Sequence, residues 1–203
     1  IRNCDWSSDV CSSDLLALAG EATRTPDGEA LSELASLGLV TTEDGVVIPR
    51  HSLFAAAAVE LLDPAARRDL HAELAARSTR DGERARHLLA AGELGPARVA
   101  ALAAVADAVS HHERADHLLV AARASEAGDP IILEAVGALL RVARVSDARD
   151  LVLGFRPETS DDALRREVLD AQTAYWTADF AAVGPALDAA ADRIDAGEVR
   201  PDV

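Results

Sequence analysis

Apolar positions recur with a helical period along most of this chain, and small polar or glycine-containing breaks divide the pattern into segments. Leu15 to Ala22 forms a short apolar run that Thr25-Pro26-Asp27-Gly28 interrupts. Glu29 to Leu37 predicts a helix, with Leu31, Leu34 and Leu37 three apart on one face and Gly38 as its stop. The pattern then changes period. Leu39 to Thr42 and Val46 to Ile48 predict two strands around Glu43-Asp44-Gly45, since Asp-Gly between apolar β-formers favours a hairpin turn. Ser52 to Leu62 predicts a further helix capped by Ser52. Asp63-Pro64 opens the next, which runs to about Ser78. The order of helix, helix, hairpin and helix is that of a winged-helix module.

From Asp81 onward the pattern is helical throughout. Breaks are expected at Gly95-Pro96, Ser110-His111, Gly128-Asp129-Pro130, Val145-Ser146, Gly154 to Pro157, and Thr177-Ala178. Ala115, Ala148 and Ala181 are spaced 33 residues apart, each placed near the start of the second helix of a pair. The nine residues from Glu83 to Ala91 match those from Glu113 to Ala121 at seven positions. A period near 34 residues with two helices per unit points to tetratricopeptide-like repeats. Each hairpin is too small to bury its own apolar face, so such units stack into a solenoid. The expected fold is therefore mainly α: a small winged-helix module with one β-hairpin over 16–78, then an α-solenoid of tetratricopeptide-like hairpins over 79–203.

The first fifteen residues break the pattern. They hold both cysteines, Cys4 and Cys11, and repeat Ser-Ser-Asp without a helical or strand period. Residues 4–15 resemble the translated read-through of a sequencing adapter, so 1–15 is set aside as a non-native segment. Without it no cysteine remains, which fits a cytoplasmic protein with no structural disulfide. The 203 residues include no methionine and no lysine, and all 20 basic residues are arginine. The chain therefore reads as a piece of a longer protein from a GC-rich genome.

Charge and missing motifs narrow the function. The net charge of −15 is a poor match to nucleic acid or an anionic membrane. No apolar run approaches the ~18 residues that span a bilayer. Without lysine no phosphate loop of the G-x-x-x-x-G-K-[ST] type exists, and no dinucleotide, nucleophile-elbow or zinc-protease motif is present. A non-catalytic chain without a metal site is expected. His111, His112 and His117 near Asp116 offer a metal reading, against one in which the first two cap a turn and His117 packs as its repeat equivalent His87 does. Asp161-Asp162 suit the positive end of a helix dipole. Arg67-Arg68 and Arg165-Arg166 read as solvated helix faces or a binding surface. Trp176 beside Tyr175 reads as core or inter-repeat packing, with a ligand platform as the other reading.

The segment Arg50-His51-Ser52-Leu53-Phe54 follows the second expected strand. It resembles the end of the winged helix in the signal-transduction NTPases with numerous domains, among them the large ATP-binding LuxR-type regulators. The stretch Leu61 to Ala75, with Pro64-Ala65-Ala66-Arg67-Arg68 and Leu70-His71, is similar to the same regulators, as is Arg84 to Ala91. The resemblance covers about 34–125. Ser52 departs from the Pro or Asp of the family pattern. The resemblance implies that His51 touches the terminal phosphate of ADP in the intact protein. Imidazole donation to phosphate suits that role, and helix capping or packing beneath the wing are the other roles open to His51. It also implies an upstream NTPase domain of the same chain that binds ATP or ADP, an inducer or protein on the repeats, and a C-terminal helix-turn-helix domain as the only contact with DNA. Two other functions stand beside this one. A free-standing helical-repeat adaptor needs no nucleotide partner. A winged-helix DNA binder needs a basic recognition helix, but the candidate at Glu29 to Leu37 holds two acids and no arginine.

Overall fold

A computed structural model describes residues 32, 35–38, 40–43, 46–50 and 63–197. Among these residues the chain is mainly helical, with eight helices and one antiparallel strand pair. The strands are β1 (Val40–Glu43) and β2 (Val46–Pro49), registered with Val40 opposite Pro49 and Glu43 opposite Val46. They lie where the Asp-Gly pattern places a hairpin. The expected helices over 15–22 and 52–62 and the sensor candidate His51 lie outside the described residues, as does most of the helix expected over 29–37. The first described helix of full length, α1 (Pro64–Arg77), has Pro64 in its first turn, where the missing N–H leaves no bond unmade. Asp63 stands at the cap position without a side-chain bond to it. The described residues up to Ser78 belong to one compact unit, and those from Thr79, apart from Ala90–Gly92, to a second.

The second unit is built from seven helices. They are α2 (Asp81–Ala91), α3 (Leu94–Asp107), α4 (His111–Arg123), α5 (Ile131–Arg141), α6 (Val145–Gly154), α7 (Ser160–Trp176) and α8 (Phe180–Asp195). Each helix from α3 to α8 packs on the next, and α5 also packs on α7. Helix α5 is apolar almost all round and buries Ile132, Leu133, Val136, Leu139 and Leu140. Such a helix belongs in an interior. It joins Leu118 and Leu119 of α4 with Val152 of α6 and Phe155 in the main core. A second core joins Ala85 of α2, Ala100 and Ala101 of α3, and Val120 and Ala121 of α4.

The helices fall into two layers. In one, α2 lies against α4, because the Gly82 backbone is in contact range of the His117 ring. Helix α4 is tied to α6 by Asp116 with Arg144 and by Arg123 with Asp147. Arg149 of α6 then stands 3.9 Å from Asp179 at the entry to α8. The other layer is α3, α5 and α7. Alternation of sequential helices between two layers is consistent with a helical repeat.

Three of the connections share one turn. Between α2 and α3, α5 and α6, and α7 and α8, a residue has left-handed backbone: Gly92, Ala143 and Ala178, with φ of 85°, 59° and 58°. The next residue, Glu93, Arg144 or Asp179, has φ between −88° and −85° and ψ between 65° and 70°. Its N–H donates to the carbonyl five residues back, on Leu88, Leu139 and Ala174, at 2.9 Å each time. This closes the last turn of the preceding helix and reverses the chain.

The expected period near 34 is kept by the helices of one layer: α4, α6 and α8 begin at His111, Val145 and Phe180, 34 and 35 residues apart. Ala115, Ala148 and Ala181 each fall within the first five residues of these helices, the first two buried and Ala181 exposed. The connection 124–130 between α4 and α5 is longer than the tight turns. The break expected at Gly95-Pro96 falls one step earlier, at Gly92-Glu93. Pro96 sits inside the first turn of α3, where a proline breaks no helical bond. Ser110, not His111 or His112, caps α4, accepting from the Glu113 N–H at 3.1 Å. Thr159 caps α7 in the same way through the Asp162 N–H. Asp161 and Asp162 stand in that first turn, as their dipole role requires.

An alanine in the left-handed region carries roughly 1–2 kcal/mol of backbone strain that glycine avoids. Ala143→Gly and Ala178→Gly are therefore expected to raise stability, each by up to about 1 kcal/mol after glycine's extra unfolded-state entropy. Gly92→Ala is expected to lower it by a similar amount. Urea unfolding midpoints of the three variants check this, and a fall for both alanine replacements contradicts the turn geometry.

Candidate functional site: a groove across three helices

Helices α5 and α7 pack together, and a groove of about 760 Å³ runs along them with Arg98 of α3 at its rim. A pocket of this size is in the range that takes small molecules. Helix α7 supplies Leu164, Arg165, Val168 and Leu169, which share one face because helical neighbours are three and four apart. Leu164 is buried, Leu169 is half-buried, and Val168 is 37% exposed. From α5 come Ile131, Leu133 and Glu134, preceded by Asp129 and Pro130. The floor is thus aliphatic.

Charges stand at the rim, and most are engaged. Arg98 of α3 donates to Asp129 at 2.7 Å and to Ser125 at 2.9 Å. The pair fixes α3 to the connection ahead of α5. Asp129 also accepts from the Ile131 N–H at 3.0 Å, closing the entry to α5. Glu134 accepts from Arg114 at 2.7 Å. Arg165 is exposed, with no hydrogen bond or ion pair among the described residues. Its neighbour Arg166 points elsewhere and donates to the Val152 carbonyl at 3.4 Å.

A second, polar notch of about 270 Å³ lies between α2 and α4, lined by Arg80, Gly82, Glu83, Arg86, Glu113 and His117, with Asp116 beside them. A Cβ on Gly82 would overlap the His117 ring, coming 2.9 Å from Nδ1 and nearer still to Cε1. Glycine at 82 is what lets the imidazole lie against α2. His87, its equivalent in the nine-residue match, is 1% exposed, and His117 is 8% exposed. Both pack inside the fold. Burial lowers the pKa of each below the usual 6.5, against the opposing pull of Glu83 on His87 and of Glu113 on His117, while Arg86 adds to the lowering of both. His111 and His112 are exposed at the start of α4, apart from His117. Among the described residues, no three or more His, Cys, Asp and Glu side chains gather as a metal would need.

Tyr175 and Trp176 do not pack in the core. They are 61% and 58% exposed, and Tyr175 meets Phe180 edge-to-face at 5.9 Å. They fall where α7 ends and turns into α8, past its buried face. The groove itself is not visible in any one segment of sequence. Arg165 stands out in the sequence only as half of an arginine pair, and no motif marks Ile131, Leu164 or Val168. Their meeting depends on which helices share a layer.

No helix among the described residues is long and apolar enough to cross a membrane. Comparison with protein-family models, curated proteins and solved structures finds no match to this chain.

The buried histidines give the fold a pH dependence of definite sign. A group whose pKa is lowered on folding binds fewer protons folded than unfolded, so stability is full above about pH 6.5 and falls as the pH drops toward the folded values. The chain is expected to lose urea resistance between neutral pH and about pH 5. The double variant His87→Gln, His117→Gln is expected to show a shallower fall over that range. An equally steep fall in the double variant removes the histidines as its cause.

Proposed function

We propose that this chain is a non-catalytic sensor arm of an ATP-dependent transcriptional regulator. In this reading the helical repeat, of tetratricopeptide type, binds an inducer or partner protein in the groove across α3, α5 and α7. The groove is the observation that carries the proposal. It is an apolar, charge-rimmed surface made by α5 and α7 with Arg98 of α3 at its edge, so a ligand lying in it touches both α5 and α7 and favours one arrangement of the layer. A ligand shifts an equilibrium only through such differential contact.

The strand pair β1–β2 and helix α1 belong, on this reading, to a degenerate winged helix over 16–78 that packs on an upstream NTPase domain. His51 then senses the terminal phosphate of ADP and holds the switch closed, and ligand on the repeats favours the open, ATP-bound state. DNA contact falls to a C-terminal helix-turn-helix domain, which suits a chain of net charge −15. The setting is cytoplasmic, and the cofactor of the intact protein is ATP or ADP. The similarity of Arg50-His51-Ser52-Leu53 and Leu61 to Ala75 to LuxR-type regulators supports these parts.

Long-read sequencing of the locus, with translation of both flanks, tests the assignment. A phosphate loop upstream and a helix-turn-helix downstream are expected. An intact short frame with its own start near Leu16 would contradict the regulator and leave a free-standing helical-repeat adaptor.

A further inference from the structure

We infer that the groove across α3, α5 and α7 takes a small aliphatic molecule bearing one carboxylate, of the medium-chain fatty-acid class. This rests on the reading of that groove as the ligand site and adds the chemistry of its ligand. Charge complementarity over an apolar floor selects this ligand class. Both acids on the rim are already neutralised, Asp129 by Arg98 and Glu134 by Arg114, each at 2.7 Å. Arg98 is engaged by that pairing and by Ser125. Arg165 alone among the four charged lining residues has no partner among the described residues. The rim therefore carries one uncompensated positive charge.

A guanidinium presents a fork of N–H donors that matches a carboxylate in two parallel bonds. A cationic ligand would meet Arg165 and find no free acid. A neutral one would leave the arginine unmatched. Arg165 is one residue from Leu164 and three and four from Val168 and Leu169, so its charge sits at the margin of the aliphatic floor. That places head group and tail on adjoining surfaces. The chain as a whole carries 35 acids against 20 bases, which disfavours an anion on the general surface. A groove of about 760 Å³ is in the size range of small-molecule sites.

Isothermal titration of the 203-residue chain with decanoate, kept below its self-association concentration, tests the inference, with decanol as the uncharged probe. Decanoate is expected to bind about tenfold more tightly than decanol, the scale of one charge-assisted hydrogen-bonded pair. Arg165→Gln is expected to bring decanoate down to the level of decanol and to leave decanol unchanged. Val168→Asp is expected to weaken both. Helix α8 exposes Phe180, Leu187 and Ile194, seven residues apart, outside the groove lining, and Phe180→Ser there is expected to change neither. All three positions are exposed, and far-UV circular dichroism checks that the variants fold. Equal binding of the two probes, or decanoate binding indifferent to Arg165→Gln, overturns the inference. Loss of binding in Phe180→Ser overturns it by moving the site to α8. If decanoate does not bind but an acidic peptide does, and Val168→Asp weakens the peptide, the ligand class is wrong and the groove stands. If no probe responds to Val168→Asp, the groove reading fails as well.

Discussion

Close approach of helices over small side chains is the constraint on which the second unit depends. Seven alanines, at 85, 97, 101, 115, 121, 135 and 148, have no exposed surface, and they lie on five successive helices. A methyl group at the seam lets two helix backbones come near, so the larger residues at the margins of each seam interlock. Leu118, Val136, Leu139 and Val152 fill the remaining space and are almost wholly buried. Replacing a seam alanine by a larger residue pushes two helices apart instead of filling a void. Gly82 takes the same logic further, because there even a methyl group would collide with His117.

Function follows from that geometry through the spacing of one layer. Helices α3, α5 and α7 are separated in sequence by the helices of the other layer. Helices α5 and α7 meet with α6 packed against both, and α3 reaches the groove through the Arg98–Asp129 pair. The polar contacts reinforce this placement without creating it. Arg98 with Asp129 and Arg123 with Asp147 are partly exposed, and exposed pairs contribute on the order of 0–1 kcal/mol each. Their value is directional. The Arg98 pair fixes one edge of the groove, and the engaged acids leave Arg165 as its free charge.

The sequence made the helical class legible because periodic apolar runs of ten or more residues have few other solutions. Helix starts were legible where a cap or proline marked them, as at Pro64. His87 and His117 were legible as packing residues because the same nine-residue pattern carried both. Turns were legible in part: the breaks at Ser110-His111 and Thr177-Ala178 fall on helix boundaries, whereas the break expected at Gly95-Pro96 misses the turn at Gly92. Ala143 and Ala178 adopt the backbone of Gly92, and nothing in an alanine announces a left-handed residue. The period near 34 was legible because α4, α6 and α8 begin 34 and 35 residues apart. Tyr175 and Trp176 misled because large aromatics usually mark interiors. Here they end a helix whose buried face, with Ala163, Leu164, Ala171 and Ala174, is made mostly of small residues.

The account stands or falls on whether the face of α3, α5 and α7 is the binding surface. Methyl-resolved nuclear magnetic resonance of the chain during a decanoate titration tests this directly. Saturable shifts at Ile131, Leu133, Leu164, Val168 and Leu169, with intermolecular contacts from the ligand chain to the same methyls, are the result the account predicts. Shifts confined to Leu187 and Ile194 of α8 or Leu153 of α6, with the groove methyls unmoved, would contradict it.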